Sequence, residues 1–310
     1  MSESLLAHGM STVERAEASA GVPRAKRHAW LHAFRDYVSV LKPKETLLLG
    51  YIGAAAAIVA GGGSPPWARF AVALVAVISG SAGANALTNY LDREVDARMV
   101  RTRRRALPSG RIRPPEMMLP LAFGLVGSGL IIAWFLEPWA FAVGLGGTFV
   151  AVIWRKTWVT HILGGLSGCA PVAVGYLAIS GAFDLRLLFI CLLILVWVPV
   201  HVWSVMIACR DDYLQAGVRM FPATWPVIAA VKVLLALAVV LLGVSVGLYL
   251  ADGLGLVYLL PALALGLAMV AANYRVVSTG ARDDAWRVYK LSAYPYLGLI
   301  FLAMCLDLWV

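Results

Sequence analysis

"NYLDREVDARMVRTRRRALPSGRIRPP", residues 89–115, places three carboxylates and eight arginines directly behind some twenty apolar residues. A run of about 20 apolar residues crosses a bilayer core of roughly 30 Å as a helix, and charge resumes where lipid ends. The stretch therefore reads as the mouth of a membrane-spanning helix, and the same alternation of long apolar runs and short polar breaks continues along the chain. With 61% of its 310 residues hydrophobic and 14% charged, and a mean hydropathy of +0.81, an ordinary soluble domain is excluded. The period-two alternation of a membrane barrel is missing, so the expected class is an all-α integral membrane protein.

Apolar windows between charges and turn residues predict nine transmembrane helices, at about 46–63, 68–91, 116–136, 138–154, 159–180, 185–208, 224–250, 254–273 and 291–309. "GGGSPPW", "LEPW", "SGAFD" and "ADGLG" mark breaks. Basic residues crowd into alternate loops: the eight arginines of 93–113, then Arg155 and Lys156, Arg210 and Arg219, and Arg275, Arg282, Arg287 and Lys290. This bias places those loops and the N-terminus in the cytosol, and it accounts for the net charge of +9 without nucleic acid. Residues 1–36 are polar and read as a flexible basic cytosolic tail whose Arg24, Lys26, Arg27 and Arg35 suit anionic membrane lipid. Residues 37–310 read as a single transmembrane domain. Its acidic clusters, Asp92/Glu94/Asp96 and Asp211/Asp212, follow the second and sixth helices, which suggests two four-helix units and an added ninth helix. The four cysteines, Cys169, Cys191, Cys209 and Cys305, stand singly in apolar surroundings and read as reduced packing residues.

The acidic clusters carry the chemistry. If the second helix runs on past its apolar portion, Asp92 and Asp96 share one face at i and i+4 and repel each other unless a cation lies between them. Mg²⁺ suits such a pair, because it binds through one or two carboxylates and leaves its other positions to water and phosphate oxygens. Asp211 and Asp212 supply a second group of the same kind. Arg101, Arg103, Arg104, Arg105 and Arg210 are then placed to hold phosphate by charge-assisted hydrogen bonds. A substrate with a diphosphate head and a lipid tail fits this set. Mutual neutralisation in a solvated loop fits the spacing equally well.

Longer pieces decide between them. "YVSVLKPKETLLL", "NYLDREVDARMVRTRRRALPSGRI", "RKTWVTHILGGLSGCAPVAVGY" and "VWVPVHVWSV" followed by "RDDYLQAGVRMFP" together resemble the UbiA superfamily of intramembrane prenyltransferases, and within it the haem-modifying branch. The resemblance implies a UbiA-type bundle around a central cavity, Mg²⁺ as cofactor, and farnesyl diphosphate and haem B as substrates. Its chemistry is ionisation to an allylic cation, attack by a haem vinyl group, and addition of water to give haem O. By the same resemblance Asp92, Asp96, Asp211 and Asp212 are the catalytic metal-binding residues. Lys44, Asn85, Thr88, Asn89, Arg101, Arg105, His201, Arg210 and Tyr213 are the substrate-binding ones. It also implies the cell inner membrane, active-site loops on the cytoplasmic side, and haem A synthase or oxidase assembly proteins as partners. The chain departs from the family's usual residues at Thr88, Glu94, Ala106, Thr160, Ala208, Cys209 and Arg219.

An aromatic prenyltransferase acting on a quinone precursor would share the machinery and differ in acceptor. A transporter would need helices interrupted near the midplane in inverted halves, a pattern this sequence lacks. His201, inside an apolar helix two residues after Pro199, needs a polar partner: a neighbouring backbone group, or the porphyrin. Asn85, seven residues before Asp92, faces the same way and either orients a ligand or joins helices. His161 reads as an interface residue, Trp134, Trp139, Trp154 and Trp158 as belt residues, and Asp283/Asp284 as a solvated loop pair.

Overall fold

The computed structural model describes residues 24–153 and 159–310, with only the backbone for 24–29, 159–163 and Asp252. Within them the chain is helical throughout: α1 (Arg24–Val40), α2 (Pro43–Ala60), α3 (Trp67–Arg98), α4 (Leu119–Leu136), α5 (Pro138–Ile153), α6 (Val159–Ser180), α7 (Leu185–Ala208), the short α8 (Arg210–Gln215), α9 (Val227–Asp252), α10 (Leu256–Thr279), α11 (Arg282–Leu291) and α12 (Leu297–Asp307). Among the described residues, seven segments are long and apolar enough to cross a membrane. The stretches 138–153 and 164–180 are shorter apolar helices.

Local chemistry sets the ends. Lys42 adopts a left-handed conformation (φ 50, ψ 66) that turns α1 sharply into α2, and Pro43 opens the new helix. Gly62 and Gly63, at φ 57 and φ 87, make the turn after α2 that only glycine enters without strain. The final expected helix, 291–309, is instead a bent unit. It begins at Arg282 and is kinked through Ser292–Tyr296, where Ala293 is non-helical and Pro295 supplies no N–H. Residues 24–36 of the expected tail belong to α1.

α3 is the element that positions the site. At 32 residues it is about 48 Å long, well beyond a bilayer core of about 30 Å, so its last turns carry Asp92 and Asp96 out of the apolar zone while still helical. Small residues bring α4 against it: Gly83 lies on the Ala122 carbonyl and Val126 amide, and Gly129 on the backbone of Ala76 and Gly80. α2 meets α6 in the same way through Gly53 and Gly175. All four cysteines are free, Cys169 and Cys305 buried and the others half-buried.

Candidate functional site

Two small apolar clusters outside the main core build the charged end of the bundle. In one, Ala106, Leu107 and Ile112 of the arginine-rich loop pack on Val40 of α1, Ala86 and Leu87 of α3, and Met118 and Ala122 at the start of α4. In the other, Met99 joins Met206, Ala216, Val218 and Met220, with Tyr213 beside them. The second cluster brings the two acidic loops together although they are over a hundred residues apart in sequence. These apolar residues are the part of the site that the charge pattern hid. The signal for them was present in the isolated Met99, Leu107 and Ile112 among arginines.

Polar bonds finish the join. Asp212 accepts hydrogen bonds from the backbone amides of Val100 (2.6 Å) and Arg101 (3.3 Å), and the Arg101 guanidinium donates to the Tyr213 hydroxyl at 3.3 Å. Burial pushes the Tyr213 phenol above its ordinary value, and the Arg101 charge only partly offsets this. Asp92 and Asp96, one turn apart on α3, are both buried. Arg105 pairs with Asp96 at 3.1 Å, and the Thr102 hydroxyl donates to the Asp96 carbonyl at 2.9 Å. Asp211 turns outward to Arg282 at 2.7 Å, in an exposed pair.

Deeper on the same helix, Thr88 donates to the Asn85 carbonyl (2.9 Å) and the Asn85 amide donates to the Thr46 hydroxyl of α2 (3.0 Å). Asn89 points elsewhere and donates to the Val40 carbonyl at 2.6 Å. Asn85 and Thr88 border a cavity of about 250 Å³ that is lined by α2 to α6 and walled largely by Gly, Ala, Val and Leu. It occupies one half of the bundle rather than its centre. A second hollow, of about 400 Å³, is bounded by Lys44, Asn89, Arg105 and Arg111. Lys42 borders both.

The expected site residues thus fall into groups. Asn85, Thr88, Asp92, Asp96, Arg105, Arg101, Asp212 and Tyr213 form one continuous patch from cavity to loops. Asp211 stands at its rim. The four carboxylates are not gathered on one point, and among the described residues no group of three or more His, Cys, Asp or Glu side chains is arranged to hold a metal. Asp92 and Asp96 alone still match Mg²⁺, which needs only one or two carboxylates when phosphate and water complete its shell. Arg210, expected at phosphate, donates to the Ala223 (2.7 Å) and Trp225 (3.3 Å) carbonyls and so shapes the following loop. His201 lies between the rings of Trp197 and Tyr289, with Nδ1 3.0 Å from the Ser292 hydroxyl, while the Trp197 indole donates to the Ser292 carbonyl at 2.6 Å. Its observed partner is a side chain on the α11–α12 kink rather than a backbone group. The expected solvated pair Asp283/Asp284 divides: Asp284 is buried, held by Thr279 (2.7 Å), Arg287 (2.7 Å) and Arg275 (3.1 Å). His161, Thr160, Trp154 and Trp158 lie outside the residues whose side chains are described.

Fold and site define a polytopic helical membrane protein with a buried carboxylate pair beside an apolar cavity. The chain belongs to the UbiA prenyltransferase family, whose pattern it matches over residues 47–302. It is 36% identical to the "Protoheme IX farnesyltransferase" of Desulforudis audaxviator, with 96% of each chain covered. It is 37% identical to the "Protoheme IX farnesyltransferase 1" of Cenarchaeum symbiosum, covering 88% of this chain and 95% of that one. Among solved structures, a study of digeranylgeranylglyceryl phosphate synthase superposes with a TM-score of 0.73 at 16% identity, covering 89% and 98% of the two chains. A UbiA homologue from Archaeoglobus fulgidus bound to GPP and Mg²⁺ superposes with a TM-score of 0.65 at 16% identity, covering 87% and 99%. At these identities the structural likeness is one of fold.

Proposed function

We propose that this chain transfers the farnesyl group of farnesyl diphosphate to a vinyl group of haem B, giving haem O. The observation that carries the reading is the buried Asp92/Asp96 pair set one turn above a cavity of about 250 Å³ with apolar walls; the named relatives supply the acceptor. The diphosphate sits at the carboxylates, reached by Lys42, Arg101 and Arg105, and the prenyl tail fills the cavity between α2 and α6. Asp92 and Asp96, with the second acidic loop nearby, would hold Mg²⁺, which would supply charge neutralisation of the departing diphosphate. Arg101 and Arg105 share that anionic charge. The C1–O bond breaks, diphosphate leaves with the electron pair, and the allylic cation is attacked by the vinyl carbons. Water then adds and releases one proton. The small-residue walls keep water from the cation before the acceptor arrives.

In this reading nine helices cross the inner membrane. The N-terminus and both acidic loops face the cytoplasm, as the distribution of arginines favours, and residues 37–310 act as a single domain of two four-helix units plus a ninth helix. Delivery of product to haem A synthase or oxidase assembly proteins rests on the resemblance alone. The test is incubation of the purified protein in lipid with Mg²⁺, farnesyl diphosphate and haem B, followed by mass analysis of the haem. The expected product is haem B plus one farnesyl group and one hydroxyl group. Prenylation of an aromatic acid without any haem adduct would move the assignment to the quinone-precursor enzymes.

A further inference from the structure

The outer end of α1 presents an apolar face that no other part of the described protein covers. Trp30, Leu31 and Phe34 are 65%, 46% and 57% exposed, and the Trp30 and Phe34 rings stack on each other at 5.7 Å. At 100° per residue these three side chains fall within an arc of about 100°, and Val38 continues it. The other end of the helix is fixed. Tyr37, Val40 and Leu41 pack in the apolar cluster formed with Leu107 and Ile112 of the arginine-rich loop, Asp36 binds Arg111 at 2.9 Å, and the Val40 carbonyl accepts from Asn89. Two residues after α1 the chain turns at Lys42 into α2, whose apolar run enters the membrane. α1 therefore lies at the depth where that run begins, and its direction is set by its pinned C-terminal turns.

We propose that α1 is an interfacial helix, seated in the headgroup and acyl boundary of an anionic bilayer through Trp30, Leu31 and Phe34. The charge supports this occupant. Arg24, Lys26, Arg27 and Arg35 are carried on this helix, and its one acid, Asp36, is already engaged by Arg111. Exposed aromatic residues on a helix that is rich in basic residues are the composition that anchors a helix in this plane. Such seating also holds Asp36 against Arg111, and so braces the loop that carries Arg101 and Arg105.

The test uses the full chain, its four native cysteines replaced by serine or alanine, in nanodiscs containing anionic lipid. Nitroxide labels are placed singly at W30C, F34C, H32C and S39C. The expected result is that labels at 30 and 34 are relaxed more by oxygen than by a water-soluble nickel chelate, and those at 32 and 39 the reverse. Nickel-dominated relaxation at all four positions puts the helix in water and overturns the proposal. Labels at 30 and 34 shielded from both agents mean a protein covers this face, which overturns it equally.

Discussion

The two acidic loops look alike in sequence and differ in structure. Asp92 and Asp96 stand on a rigid helix, buried, their positions dictated by α3 and its close packing on α4. Asp211 and Asp212 stand on a single short helix of six residues, where one is exposed and paired to Arg282 and the other is turned back onto the amides of Val100 and Arg101. One loop presents carboxylates and the other mainly uses them to hold its neighbour in place. Equal composition does not mean equal work; what separates the pairs is the stiffness and burial of the element that carries them.

The strongest way to break this contrast is to neutralise the first pair. Asp92→Asn and Asp96→Asn are each expected to lower kcat for haem O formation by about 10²–10³-fold, the scale of losing a preorganised electrostatic contact. Circular dichroism and detergent stability should stay near wild type. Turnover close to wild type in both variants removes α3 from the chemistry.

Asp212→Ala should have an intermediate effect, because it strips a charged acceptor from two amides, each such bond being worth about 1.5–3 kcal/mol. Hydrogen exchange at residues 99–105 should quicken and KM for farnesyl diphosphate rise by about tenfold, with Asp212→Asn recovering part of the loss. Unchanged exchange in the alanine variant would mean that the loops are joined by Met99 and Met220 alone. Smaller still is the expected cost of Asp211→Asn or Arg282→Ala, about 0.2–1 kcal/mol, since an exposed ion pair is screened by solvent and salt. A loss as large as that of Asp92→Asn would make the loops equal partners after all.

The smallest effect concerns Tyr213. Its phenol is raised above the ordinary 10.0 by burial, so the folded state holds this proton more tightly than the unfolded chain does. The associated stability is present below pH 10 and is lost as pH rises through the folded value. Absorbance titration should show several tyrosines ionising late, and Tyr213→Phe should remove one of those steps. An unchanged titration would mean that Tyr213 is more open to water than its place beside Met99 implies.

Much of this was legible from residues alone. Among the described residues seven of the nine apolar windows coincide with helices long and apolar enough to cross a membrane and two with shorter apolar helices, because a membrane-crossing helix must satisfy its own backbone and so writes its length into the sequence. The pairing of Asp92 with Asp96 followed from helical period once α3 ran on past the apolar zone. Arg210, expected at phosphate, donates to the Ala223 and Trp225 carbonyls, because a guanidinium suited to phosphate suits backbone carbonyls equally well. Asp284 was read as solvated because burial at a helix junction leaves no mark in the flanking residues. The kink at Ser292–Tyr296, and the stacking of His201 between Trp197 and Tyr289, also needed the fold, since they join helices that are far apart in the chain.

The sequence by itself determined membrane class, the all-helical architecture and the face shared by Asp92 and Asp96, since hydropathy and helical period are local properties. Only the tertiary structure decided which of the eight arginines reach a carboxylate and that Asp212 closes onto the first loop. It alone showed that the cavity lies between α2 and α6, because such contacts depend on how closely Gly83, Gly129 and Gly175 let distant backbones approach.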